Sequence, residues 1–197
     1  MVSDTKRNIL KAAVRLFSQN GYYGTSMSDI AGEVGITKTA LYRHFAGKEE
    51  ILDVILDSGE AYYEENFGSA KNLPKIPESA AELMRLSLRQ IQFTMHDDDI
   101  AKYRRLFVIE QFHSKRMAEL ATKHFVTDIE SFYVALFENM MDKGIWKKND
   151  PELLAFEYAA PITMMIHLCD RQPEKETEAL ERIRRHIDHF WAMNANE

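Results

Sequence analysis

Cysteine is almost missing from this 197-residue chain, and Cys169 is the only one. A single thiol excludes an internal disulfide and any multi-cysteine zinc site. It lies in an apolar run, where a buried, inert thiol is the expected state. No apolar run reaches the ~18 residues needed to span a bilayer. The opening MVSDTKRNIL lacks the long apolar stretch of a secretion signal. No membrane partner is expected, and the expected location is the cytoplasm. Clean period-2 alternation bounded by turn residues is absent, so strands are not expected. The sequence holds no His-Glu-x-x-His, no Gly-rich phosphate loop and no nucleophile elbow. On that basis no enzyme activity, cofactor or metal is expected.

Proline does not occur before residue 74, whereas five of the eight glycines lie within the first 50 residues. Short helices with tight turns are therefore expected early, and proline-opened helices later. Basic charge is also scarce, with a net charge of −6. A protein that coats nucleic acid indiscriminately would carry the opposite sign. The distribution is uneven, however. Residues 1–50 carry seven Lys and Arg against five Asp and Glu, a net +2, which leaves −8 for the rest. A mildly basic head on an acidic body suits a protein that touches DNA at one end.

What is present is helical periodicity. Hydrophobic residues make up 45% of the chain, enough to form a core. The pattern predicts an all-α fold of about nine helices. The first spans roughly 4–20, the second starts at Ser26, and the third runs from a Thr37 cap to about His44. A fourth reaches from Lys48 to about Asn66, and GSAKNLPKIPES (68–79) is a loop. A fifth (about 78–95), a sixth (about 100–112) and a long seventh (roughly 114–143) follow. Asp150-Pro151 opens the eighth, with Asp as cap and Pro in the first turn. It is apolar nearly all round from Leu153 to Cys169, and Pro161 should kink it. Pro173 opens the ninth. The chain should divide into a head, residues 1–47, and a larger helical domain, residues 48–197.

The stretch 26–45, SMSDIAGEVGITKTALYRHF, has the content of a helix-turn-helix. Small Ala31 lets two short helices cross closely, Gly35 allows the turn, and Ile36 and Leu41 pin the second helix to the first. Thr37, Lys38, Thr39, Tyr42 and Arg43 are left outward, with His44 at the end. These donors and acceptors suit base edges and phosphates in a major groove.

Residues 9–56 resemble the DNA-binding domain of the tetracycline-repressor family. The resemblance rests on Phe17, Gly21, Thr25-Ser26, Ile30-Ala31, Val34-Gly35-Ile36, Leu41-Tyr42, Phe45 and Lys48-Glu49. It implies a sequence-specific transcriptional regulator, most often a repressor released from operator DNA by a small molecule. It also implies residue roles. Thr25 and Ser26 would hold phosphates at the start of helix two. Thr37, Lys38, Thr39 and Tyr42 would face the groove, with Tyr42 and His44 also near the backbone. Lys48 would meet a phosphate, and Lys6 and Arg7 could add further contacts.

A single head gives weak specificity, so a homodimer reading two half-sites is expected. The eighth and ninth helices are the expected interface. An effector pocket is expected among helices five to eight. Tyr103, Phe107, Phe132, Phe137, Tyr158, Met164 and His167 are its candidate liners, although aromatic and Met stripes at helical spacing are more often core. Two competing readings are a metal site built on His96-Asp97-Asp98-Asp99 with His113 and His124, and a helical scaffold that has lost DNA binding.

Overall fold

The computed structural model describes residues 4–196, and every regular element in that range is helical. The elements are α1 (Asp4–Asn20), α2 (Met27–Val34), α3 (Lys38–Tyr42), α4 (Lys48–Phe67), α5 (Ala80–His96), α6 (Asp98–Glu110), α7 (Lys115–Thr122), α8 (Asp128–Asp142), α9 (Pro151–Arg171) and α10 (Glu176–Asn194). A π-helical turn, Lys123–Thr127, joins α7 to α8 without a break. Counted as one rod, this is the expected long seventh helix, and the total among the described residues is nine. A 3₁₀ turn at Pro173–Lys175 precedes α10.

The caps follow local chemistry. Asp97 starts α6 by accepting the Asp99 and Ile100 amides. His96-Asp97-Asp98-Asp99 is thus a helix junction, and no group of three or more His, Cys, Asp or Glu that could hold a metal occurs among the described residues. Asp150 accepts the Glu152 and Leu153 amides, and Pro151 occupies the first turn of α9, where its missing N–H costs nothing. Pro161 lies inside α9, which nevertheless stays helical through it. His186 on α10 donates its Nε2–H to the Tyr158 carbonyl, 3.0 Å away, one turn before that proline.

The chain forms two compact units. One contains the residues up to Glu65 together with Asp97–Ala121; the other contains Asn66–His96 and the residues from Thr122 onward. The compact units are therefore not cut after residue 47: α6 and α7 share a unit with the first three helices. In that unit α1 packs on α6 and α2, around Ile9, Ala13, Phe17, Ile30, Leu41 and Phe45. Tyr103 lies against Gly59, where a Cβ would come within 3.0 Å of its ring, and its hydroxyl donates to the Ile55 carbonyl at 2.8 Å. In the second unit α8 packs on α9, and α10 packs on α9 and α5. Its core is aromatic: Phe132, Tyr133, Phe137, Trp146, Tyr158 and Phe190 are linked ring to ring. No helix among the described residues is long and apolar enough to cross a membrane.

Candidate functional site

The head is built by its caps. Ser26 precedes α2 and accepts the Asp29 amide, while the Asp29 carboxylate accepts the Ser26 amide. This reciprocal pair satisfies two amides that the helix start would leave open. The Ser26 bonds hold the Asp29 carboxyl below its ordinary value. Gly35 ends α2 in the left-handed region, φ 74°, where a side chain would be strained. Its neighbour Ile36 then donates back to the Ala31 carbonyl, turning the chain toward α3. Thr37 caps α3 by accepting the Ala40 amide at 3.1 Å. Leu41 and Phe45 are buried, and Arg15 pairs with Glu33 to tie α1 to α2.

This arrangement turns one side of α3 to solvent. Thr37, Lys38, Thr39, Tyr42 and Arg43 are all exposed, and His44 is half-buried. Ser26 is exposed at the start of α2. A single helical face therefore presents hydroxyls, a phenol and two cations, the groups that can pair with base edges and phosphates.

Two residues expected at phosphates make bonds within the head. Thr25 is buried, and its hydroxyl donates to the Gly21 carbonyl at 2.9 Å. The Lys48 ammonium turns inward and donates to the carbonyls of Tyr22 and Thr25, at 2.6 and 2.7 Å. It also lies 4.2 Å from the centre of the Tyr22 ring. Burial draws its pKa below the usual lysine value, an effect partly opposed by Glu110 and Asp29. Lys48 is thus a clamp on the turn that leads into α2. Lys6 lies over the Phe45 ring, and Arg7 pairs with Asp4.

Glu110, on α6, was not anticipated. It is 1% exposed, and its Oε1 accepts the Tyr22 amide at 2.7 Å. Gly21 leaves room for it: a Cβ there would lie 2.6 Å from that oxygen. The signal was a lone carboxylate within the apolar stretch LFVIEQF (106–112). Together Glu110 and Lys48 grip both the amide and the carbonyl of Tyr22.

Residues 9–55 match the family described as the bacterial regulatory proteins of the tetR family. This segment is similar to the head of that family. It covers most of α1, all of α2 and α3, and the start of α4. The HTH-type transcriptional regulator YerO of Bacillus subtilis is 36% identical over 72 residues, 36% of this chain and 24% of that protein. The chain thus spans about a quarter of the length of that relative. The HTH-type transcriptional repressor KstR2 of Mycobacterium tuberculosis is 26% identical over 144 residues, 73% of this chain and 68% of that protein. SmeT, the repressor of the Stenotrophomonas maltophilia multidrug efflux pump SmeDEF, has a similar fold in its triclosan complex. Its TM-score is 0.76 at 19% identity, covering 99% of this chain and 93% of that one. The likeness extends from the tetR-type head to the fold of the whole chain.

Beyond the head, the candidate effector residues fall in both units. Tyr103 and Phe107 are in the unit that holds the head. Phe132, Phe137 and Tyr158 meet in the aromatic core of the other unit, Phe137 and Tyr158 edge to face at 5.3 Å and Phe132 joined to them through Tyr133. Met164 is exposed and borders a cavity of about 160 Å³ with Pro161, Met165, Arg182, Ile183 and His186. His167 sets its ring edge to face with Phe125, at 5.9 Å, and lies 3.7 Å from Asp170. One set of buried polar groups was overlooked. Ser87, Gln90 and Thr94 form a stripe on the inner face of α5. Their spacing within LSLRQIQFTM (86–95) was the available signal.

Proposed function

We propose that this protein is a sequence-specific DNA-binding transcriptional regulator, a repressor released from its operator by a small molecule. The observation that carries the reading is the exposed face of α3 on a capped helix-turn-helix. Thr37, Lys38, Thr39 and Tyr42 enter the major groove, and Ser26 and His44 lie by the phosphates. Thr25 and Lys48 serve DNA binding indirectly, by fixing the turn that aims α2. In this division of labour residues 1–47 bind DNA, and residues 48–197 bind the effector and form the dimer.

The working unit is a homodimer built on α9 and α10. Leu153, Phe156 and Met164 on α9 and Met193 on α10 are exposed apolar side chains, which supports a self-complementary interface there. The effector acts only through its different affinity for DNA-competent and DNA-incompetent states. That KstR2 and SmeT are named repressors, and that SmeT is seen with triclosan, supports repression and effector release here. The reading places the protein in the cytoplasm, as a regulator without catalytic activity.

Selection from a random duplex library tests the reading. A roughly palindromic enriched site is the expected result. A folded, dimeric protein that enriches no site at low salt would leave only the scaffold reading.

A further inference from the structure

The second unit holds a band of uncharged polar groups inside an aromatic core. Ser87, Gln90 and Thr94 are buried, and their spacing of three and four residues puts them on one face of α5. Ser87 Oγ lies 2.5 Å from the Tyr158 hydroxyl, and also donates to the Leu83 carbonyl at 2.9 Å. Gln90 donates through Nε2 to the Phe67 carbonyl at 2.8 Å and accepts from the Tyr133 hydroxyl at 3.3 Å. Thr94 Oγ1 has no hydrogen-bond partner, although the residue is only 8% exposed. Such an orphan is unusual, because buried polar atoms are nearly always paired. The rings beside the stripe form a continuous set, with Tyr133 4.9 Å from Tyr158 and both in contact with Phe137.

We propose that the α5 stripe of Ser87, Gln90 and Thr94, with the Tyr133 and Tyr158 rings, is the recognition site for a neutral aromatic ligand carrying a hydroxyl or carbonyl group. The proposal rests on the effector-binding reading of the C-terminal helices and gives that reading a ligand chemistry. Three features select the class. The rings supply flat apolar surface for another ring. The stripe supplies amide and hydroxyl groups able to donate or accept, one of them unused. The stripe bonds to the carbonyls of Leu83 and Phe67 and to the phenols of Tyr158 and Tyr133. An ionised ligand would thus be desolvated without a counter-charge. Burial pushes the Tyr158 phenol well above its ordinary value, so it acts as a neutral hydroxyl. Among the described residues the titratable rings against it are Tyr133, a phenol, and His186, whose Nε2–H is held by the Tyr158 carbonyl. In the structure Ser87 and Tyr158 close on each other. A ligand's ring would lodge beside that contact, and its polar group would meet Thr94, about two turns along α5 from Ser87. The π turn at Lys123–Thr127, directly upstream of the helix that carries Tyr133, is a natural point of adjustment.

The test is calorimetric titration of the intact protein with three probes of one size: 2-naphthol, naphthalene and 2-naphthoate. The expected result is saturable binding of 2-naphthol, with naphthalene and 2-naphthoate each at least about ten-fold weaker. Thr94→Val and Gln90→Leu should each weaken 2-naphthol by at least about five-fold and leave naphthalene nearly unchanged. Circular dichroism and the melting temperature establish that both variants are folded. Absent 2-naphthol binding, equal binding of 2-naphthoate, or an unaltered affinity in both variants would overturn the proposal. Operator release is scored separately on the selected duplex. If 2-naphthol binds as expected but leaves the operator occupied, the site stands and its effector role falls. If other compounds release the operator while 2-naphthol does not bind, the site falls and the regulator reading stands.

Discussion

Lys48 shows how far a residue's task can depart from its type. An exposed lysine at a helix start near DNA would ordinarily be assigned to a phosphate. Here its ammonium donates to the Tyr22 and Thr25 carbonyls of the preceding turn, with the Tyr22 ring beside it. Removing the ammonium leaves those part-buried oxygens short of a donor, at roughly 1–3 kcal/mol. Lys48→Met should therefore lower the melting temperature. It should weaken DNA binding while leaving the salt dependence unchanged, since a lost phosphate contact would cut the slope by about one. A reduced slope at unchanged stability would reinstate the phosphate role. Glu110 belongs to the same clamp. Both roles were illegible in the sequence, because the partners lie 23 to 88 positions away. Asp29, by contrast, could be read directly, since its partner Ser26 is three residues away. Its folded pKa lies below the ordinary 3.8, so its stabilisation is present above that value and is lost as the pH falls through the folded pKa. The stability gap between the wild type and Asp29→Asn, measured by urea midpoints, should be full near neutrality and shrink below about pH 4.

At the scale of elements, caps and turns carried most of the legible information. Gly35, Thr37 and the Asp150-Pro151 start act within three or four residues, and each forms as its sequence dictates. Long-range demands on glycines were hidden. Gly21 and Gly35 both adopt the left-handed region, at φ 77° and 74°, but only Gly21 faces a neighbour. Gly35→Ala should cost about 1–2 kcal/mol for the backbone alone. Gly21→Ala should cost more, since its Cβ would displace Glu110 from the Tyr22 amide. Equal losses in chemical denaturation would remove Glu110 from the account. Gly59 gives a test of sign. Alanine in a helix interior normally gains about 0.5–1 kcal/mol over glycine. Gly59→Ala should instead destabilise, because a Cβ would fall within 3.0 Å of three Tyr103 ring atoms. The π turn between α7 and α8 also escaped the periodicity, since one extra residue per turn barely shifts the apolar spacing of a long helix.

At the scale of the whole molecule, the fold was legible because helical periodicity fills most of the chain, with the loop over 68–79 its clearest break. The grouping of helices was not. Nothing local says that α6 and α7 join the compact unit of the head, because that depends on contacts such as Glu110 with Tyr22 and Arg116 with Glu49 and Asp53. The effector residues suffered the same blindness. Aromatic periodicity picked out Phe132, Phe137 and Tyr158, but equally picked Tyr103, which fastens α6 to α4. The proposed dimer makes a prediction at this scale. Phe156→Glu places a charge on an exposed apolar patch of α9 and should yield a folded monomer in sedimentation analysis. A monomeric wild type would contradict the dimer, and a Phe156→Glu dimer would move its interface elsewhere.

The central claim is that the exposed face of α3 reads a DNA sequence. The most direct measurement is the ratio of affinities for the selected duplex and a scrambled one, for the wild type and for Thr39→Ala/Tyr42→Ala. A lost base contact costs about 1–3 kcal/mol of discrimination, so the ratio should fall by roughly ten-fold or more while affinity for the scrambled duplex changes little. A ratio unchanged by the double substitution, in a protein that remains folded, would contradict the claim.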